Sequence, residues 1–242
     1  MTPAPAGHSL IHALRGGLIV SCQAYPGEPL RHPESIARIA QSAIMGGAVA
    51  IRAQGIDDIR AIAGSVTVPQ IGLWKAGSDG VFITPTLDHA LAVADAGADI
   101  VAIDGTRRER PDGRTLAETI RLLQDRTGRP VMADAGSVDD ALAAEDAGAD
   151  IVGTTLAGYT GERARSAGPD LELVHLLAGR LSVPVFAEGR IRTPAEARDA
   201  LDAGAYSVVV GTAITHPASI TSWFVDALTA RPRVLAETSP FE

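Results

Sequence analysis

A chain of 242 residues with 46% hydrophobic and 21% charged residues is long enough for one large core, and its composition excludes a disordered or fibrous protein. A formal net charge of -8 at pH 7 argues against nucleic acid as the main partner, because binding a phosphate backbone needs a basic face. An anionic small molecule stays open, since a few arginines and backbone donors hold one phosphate. Cys22 is the only cysteine and forms no internal disulfide, which fits a reducing compartment. No apolar run approaches the roughly 20 residues that span a bilayer, and "MTPAPAGHSLIHALRGG" lacks the basic start of a secretory signal. The expected location is cytoplasmic, with no membrane contact.

In chain order, "LIVSC" from Leu18 is the first predicted strand, and "HPESIARIAQSAIMGG" is an amphipathic helix leading to the strand in "AVAIRAQG". "IDDIRAIAGS" and "VPQIGLW" supply the next helix and strand. "TPTLDHALAVADAG" then leads into "ADIVAIDG", and "TLAETIRLLQDRTG" into "RPVMAD". "SVDDALAAEDAG" precedes "ADIVGTTL", "GPDLELVHLLAGR" precedes "VPVFAE", "TPAEARDALDAG" precedes "AYSVVVGT", and "HPASITSWFVDALTA" is the last helix. The segments starting at Met45, Asp95, Asp146 and Asp202 repeat one pattern: a glycine where a helix ends, then a β-branched run. Eight buried strands alternating with helices over about 250 residues predict a single α/β domain, a (β/α)8 TIM barrel spanning 1–242. An open doubly wound sheet is the competing fold, but no early G-x-G-x-x-G follows the first strand. Residues 231–242 lack periodicity and read as a loose tail.

A TIM barrel places its active site at the C-terminal ends of the strands. Those ends carry Ser21, Cys22 and Gln23; Arg52; Lys75; Asp104; Asp134; Thr154 and Thr155; Glu188, Gly189 and Arg190; and Gly211 and Thr212. One polar residue at a strand end often only caps the next helix, but eight ends sharing one mouth read as a site. The loops "EGRI" and "GTAI" follow strands seven and eight, where barrels often hold a phosphate. Gly189, Arg190, Gly211 and Thr212 are the phosphate candidates, with Arg190 either contacting the anion or pairing at the surface. Lys75 and Glu188 end strands four apart, which predicts a base and an acid across one substrate rather than a salt bridge. Burial and the neighbouring Arg52 are expected to lower the lysine's pKa. Asp104 and Asp134 lack the company of metal ligands, so no metal is implied. Cys22 reads as a small buried residue rather than a nucleophile. Tyr159 and Thr160, in a loop with Gly158 and Gly161, either order over the substrate or simply pack.

The blocks "LIVSCQAYPGEPL", "AVAIRAQGIDDI", "VMADAGSVDDALAAEDAGADIVGTTLAGYT", "GPDLELV", "VPVFAEGRIRTPAEA" and "VVVGTAIT" resemble, in order, those of the N-acetylmannosamine-6-phosphate 2-epimerase family. The resemblance runs from residue 15 to 229. It implies a TIM barrel that interconverts N-acetylmannosamine 6-phosphate and N-acetylglucosamine 6-phosphate in sialic acid and amino-sugar catabolism, with no cofactor and as at least a homodimer. It makes Lys75 and Glu188 the catalytic pair and Gln23, Arg52 and Asp134 substrate-binding, and Thr154 and Tyr159 join them as substrate candidates from their loop. Two departures stand out: His216 precedes Pro217 where the family usually has Arg-Pro, and "KAGSDGVFIT" replaces an aromatic, proline-containing segment after the lysine.

Epimerisation beside an acetamido group requires loss and return of the C2 proton next to the open-chain aldehyde, through an enolate that Arg52 or Gln23 could stabilise. Lys75 is the expected principal base, with Glu188 assisting, and one-base and two-base routes both stay open. The rivals are a lyase or synthase using Lys75 as a Schiff base and a non-catalytic phosphosugar-binding barrel.

Overall fold

A computed structural model of the chain describes residues 6–229. The expected loose tail lies outside the described residues. Eight parallel strands close a barrel in sequence order. They are β1 (Leu18–Cys22), β2 (Ala50–Gln54), β3 (Gln70–Leu73), β4 (Ile100–Asp104), β5 (Val131–Asp134), β6 (Ile151–Gly153), β7 (Val185–Glu188) and β8 (Ser207–Val210). β8 pairs back onto β1, so the sheet has no edge, and the expected (β/α)8 TIM barrel is what forms.

Helices α2 (Pro33–Met45), α3 (Ile56–Ala63), α4 (Leu87–Asp95), α5 (Leu116–Thr127), α6 (Val138–Asp146), α7 (Leu171–Ala178) and α8 (Pro194–Asp202) follow strands one to seven. Their starts are written locally: Thr86, Ser137 and Asp170 cap with side-chain oxygens, and Thr115 with Glu118 and Thr193 with Glu196 form capping boxes. Their ends explain the repeated glycine. Gly97 and Gly204 adopt φ of +111° and +107°, and a Cβ there would come within 2.8 Å of Ala63 and 2.7 Å of Ala178 on the preceding helices. The turn and the helix contact both need the missing side chain.

Between strands and helices lies a large shell of buried Ala, Val, Ile and Leu, each large side chain contributing about 1.5–3 kcal/mol by leaving water. A second cluster fills the barrel interior with Ile19, Ile71, Ile100, Met132, Ile151, Phe186 and Val209. Ile11 and Leu14 join it from α1 (Ala6–His12) and the turn after it, a helix that the predicted elements do not include. Two further helices follow β8, the short α9 (Thr212–Thr215) and α10 (Pro217–Thr229). α10 buries none of its residues and leaves Phe224 68% and Leu228 85% exposed. No helix among the described residues is long and apolar enough to cross a membrane.

Candidate active site

Side chains alternate along a strand, so the residue two places after an interior one also faces inward. Ala50, Met132 and Phe186 belong to the interior cluster. Two residues further on, Arg52, Asp134 and Glu188 form the floor of the mouth. Arg52 is 1% exposed and grips Asp134 with both arms, Nη1 to Oδ1 at 3.1 Å and Nη2 to Oδ2 at 2.6 Å. Its Nη1 also stands 3.1 Å from Glu188 Oε2 and 3.4 Å from Met132 Sδ. Thr155 Oγ1 donates to Asp134 Oδ1 at 2.6 Å. Gly153 leaves room for this network, since a Cβ there would meet Met132 Cε at 2.5 Å. Burial alone would push the Arg52 guanidinium down, but Asp134 and Glu188 outweigh it and hold the pKa above its ordinary value.

Two carboxylates share that one guanidinium, and the cost falls on Glu188. Burial pushes its carboxyl up to about 7, Arg52 opposes the rise and Asp134 adds to it. The backbone of Glu188 is fixed by Thr154, whose Oγ1 donates to its carbonyl and accepts from its N–H, both at 3.0 Å. Lys75 lies just past β3, in a loop pinned by a bridge to Ile83. Its Nζ donates to Gln23 Oε1 at 2.7 Å, and Gln23 Nε2 donates in turn to Ser21 Oγ at 2.7 Å. The exposed surface of Lys75 opens into the cavity, where surrounding protein atoms strip part of its hydration. Burial and then Arg52 lower its pKa, against a smaller opposing pull from Glu188.

These groups surround a cavity of about 460 Å³, a size suited to a monosaccharide phosphate. Lys75, Glu188, Gln23, Arg52, Tyr159, Gly189, Arg190, Gly211 and Thr212 all line it. Asp134 lies beneath Arg52, fully buried, and reaches the cavity only through it. Thr154 does not line it; Thr155 stands in its place. The ion pair of Glu188 is with Arg52, not Lys75. The Asp104 carboxylate is taken by Thr106 and Arg108, outside the cavity wall. Burial pushes the Cys22 thiol up to about 12, which leaves no thiolate near neutral pH. Among the described residues, no group of three or more His, Cys, Asp or Glu is placed to share a metal ion.

Arg190 takes a part that the sequence does not suggest. It follows Gly189 with φ of +58°, and its guanidinium donates to Ala157 O at 2.8 Å, Gly168 O at 3.0 Å and Ser166 Oγ at 3.1 Å. It therefore fastens the β6–α7 loop at both ends. The N–H groups of Gly189 and Arg190 themselves meet no acceptor among the described residues. His216 is buried at the cavity wall, with Nδ1 3.4 Å from Glu28 Oε2 and its ring 4.5 Å from Tyr25. Sequence reasoning missed Tyr25, Arg165, Arg192 and Trp223, which also line the cavity. The one available signal was the arginine-rich "GERAR" beside Tyr159.

A closed (β/α)8 barrel whose mouth gathers a lysine, a carboxylic acid and a buried arginine around one cavity defines the class, a TIM barrel with a polar pocket at its strand ends. The family described as "Putative N-acetylmannosamine-6-phosphate epimerase" matches residues 36–230, and the chain belongs to that family. A protein of Cutibacterium acnes named "Putative N-acetylmannosamine-6-phosphate 2-epimerase" is 61% identical over 221 residues, covering 90% of this chain and 96% of that protein. One of the same name in Caldanaerobacter subterraneus is 48% identical over 225 residues, covering 92% and 95%. Among solved structures, the N-acetylmannosamine-6-phosphate 2-epimerase from Clostridium perfringens superposes with a TM-score of 0.88 at 39% identity, covering 94% of this chain and 100% of that one.

Proposed function

We propose that the chain interconverts N-acetylmannosamine 6-phosphate and N-acetylglucosamine 6-phosphate by removing and returning the proton at C2. The observation that carries this reading is the pairing in one cavity of Lys75 and Glu188, whose pKa values are pushed toward neutrality from opposite sides. Inversion at C2 needs a group that accepts a proton and a site that returns it on the other face at the same pH, and this pairing supports both. The relatives' names supply the substrate.

In the open-chain sugar, neutral Lys75 Nζ takes the C2 proton, and the C–H electron pair moves into a C1–C2 double bond with charge on the former aldehyde oxygen. Gln23 holds the amine in place through its amide oxygen. Arg52 lines the cavity, and its positive charge is available to stabilise the enolate oxygen. Protonation of C2 on the other face, by Lys75 or with help from Glu188, completes the exchange. Asp134 keeps Arg52 charged and oriented. The phosphate is assigned to the backbone of Gly189, Arg190, Gly211 and Thr212, with Tyr159 over the sugar.

The experiment is proton NMR at C2 in deuterated solvent, starting from N-acetylmannosamine 6-phosphate. Appearance of the C2 epimer with solvent deuterium is expected, and a covalent adduct trapped by borohydride without epimerisation would move the assignment to Schiff-base chemistry. A cytoplasmic homodimer is part of the same reading. The apolar face of α10, with Phe224 and Leu228 uncovered, is the surface that supports a second copy.

A further inference from the structure

Five side-chain cations other than histidine line the cavity: Arg52, Lys75, Arg165, Arg190 and Arg192. The floor is balanced, because Arg52 and Lys75 stand against Asp134 and Glu188. Arg190 commits its guanidinium to three protein oxygens. Arg165 and Arg192 differ from all of these. Neither guanidinium pairs with a carboxylate or donates to a protein acceptor among the described residues, and each lies over an aromatic face, as Arg190 also does above Tyr159 at 5.6 Å. Arg165 Cζ is 5.0 Å from the Tyr159 ring centre, and Arg192 Cζ is 5.3 Å from that of Trp223.

Stacking on a ring orients a guanidinium without using its N–H donors. The two forks are thus held in place with their hydrogen bonds unspent, and they come from the loops after β6 and β7 into one cavity. A chain of net charge -8 that keeps two unpaired arginines at one mouth is arranged for an anion there. A phosphate ester near neutral pH carries about 1.5 to 2 negative charges and acceptor oxygens that match such forks. His216 also lines the cavity, buried with its ring 4.5 Å from that of Tyr25.

We propose that Arg165 and Arg192 form a two-armed clamp on the phosphate of the substrate and set the preference for a phosphorylated over a free sugar. The clamp deepens the epimerase reading and rests on it for the identity of the sugar.

The test pairs steady-state kinetics on N-acetylmannosamine 6-phosphate with calorimetric titration of inorganic phosphate, for the wild type, Arg165→Met and Arg192→Met. Each variant is expected to raise KM about tenfold, keep kcat within about twofold, and weaken inorganic phosphate in parallel. Wild-type KM and phosphate affinity in both variants would overturn the clamp, as would a raised KM with unchanged phosphate affinity. Should a methionine variant fail to fold by near-ultraviolet circular dichroism, Arg165→Lys and Arg192→Lys carry the test. They keep the charge but lose the fork, so intermediate losses support the clamp and wild-type values reject it. Failure of the epimerase reading shows separately, as a wild-type protein that leaves C2 unchanged while still binding phosphate.

Discussion

The floor and the rim of the cavity are built in opposite ways. On the floor, Arg52, Asp134 and Glu188 sit on strands whose ladders fix the backbone, and each has a counter-charge within about 3 Å, while Lys75 is held by Gln23. At the rim, Arg165 and Arg192 sit on loops, and rings hold them rather than carboxylates. The contrast shows how one barrel separates two demands. Proton transfer needs groups placed to a fraction of an ångström with shifted pKa values, and the strand ends, with the bridged loop that carries Lys75, supply that rigidity. Holding a dianion needs free donors at a solvated edge, where unpaired cations cost little.

Removing the base breaks the comparison most directly. Lys75→Met should lower kcat by about 10³-fold or more, while inorganic phosphate still binds with near wild-type affinity. Near-normal turnover by C2 NMR would remove Lys75 from the chemistry and leave the floor without a base. Next is Arg52→Met, which strands Asp134 and Glu188 as buried, uncompensated carboxylates. Urea unfolding near pH 8 should show a loss of about 3–5 kcal/mol. A loss under 1 kcal/mol would mean that the floor is not the paired network described. Third, Glu188→Gln keeps the shape and removes the proton, so kcat should fall by about 10²-fold with KM nearly unchanged.

Much of the floor was legible from the sequence and little of the rim, for a physical reason. The repeat at Met45, Asp95, Asp146 and Asp202 reports a helix end, a left-handed glycine and a buried strand in one local stretch, and proline before a short apolar run marks three more strands, so with "LIVSC" the eight could be placed with their terminal residues. Arg52, Asp134 and Glu188 followed from that placement. The choice of Thr154 over Thr155 shows its precision: β6 ends at Gly153, and the two-residue alternation carries Thr155 inward and Thr154 out to staple β7. The barrel diameter that separates strands three and seven argues against a Lys75–Glu188 ion pair, and the carboxylate pairs with Arg52 instead. Arg165 and Arg192 lie in loops and carry no periodic signal, and the path of the loop with Arg165 is fixed by Arg190 from 22 or more residues away in sequence.

The smallest expected effect sharpens the comparison, because it reads the strain at the floor without substrate. Glu188 has its pKa raised in the folded chain from an ordinary 4.5 to about 7, chiefly by burial. Between those values the folded state holds a proton that the unfolded state has released. The contribution is therefore fully present below about 4.5 and is lost as pH rises through about 7. The wild type should lose on the order of 2 kcal/mol across that window through this group, and Glu188→Gln, which has no proton to release, should not. Urea midpoints at pH 5 and pH 8 for both proteins give the difference directly. Parallel pH profiles would mean that Arg52 fully compensates an ionised Glu188, and the floor would then be an ordinary salt bridge rather than a carboxyl poised to carry a proton.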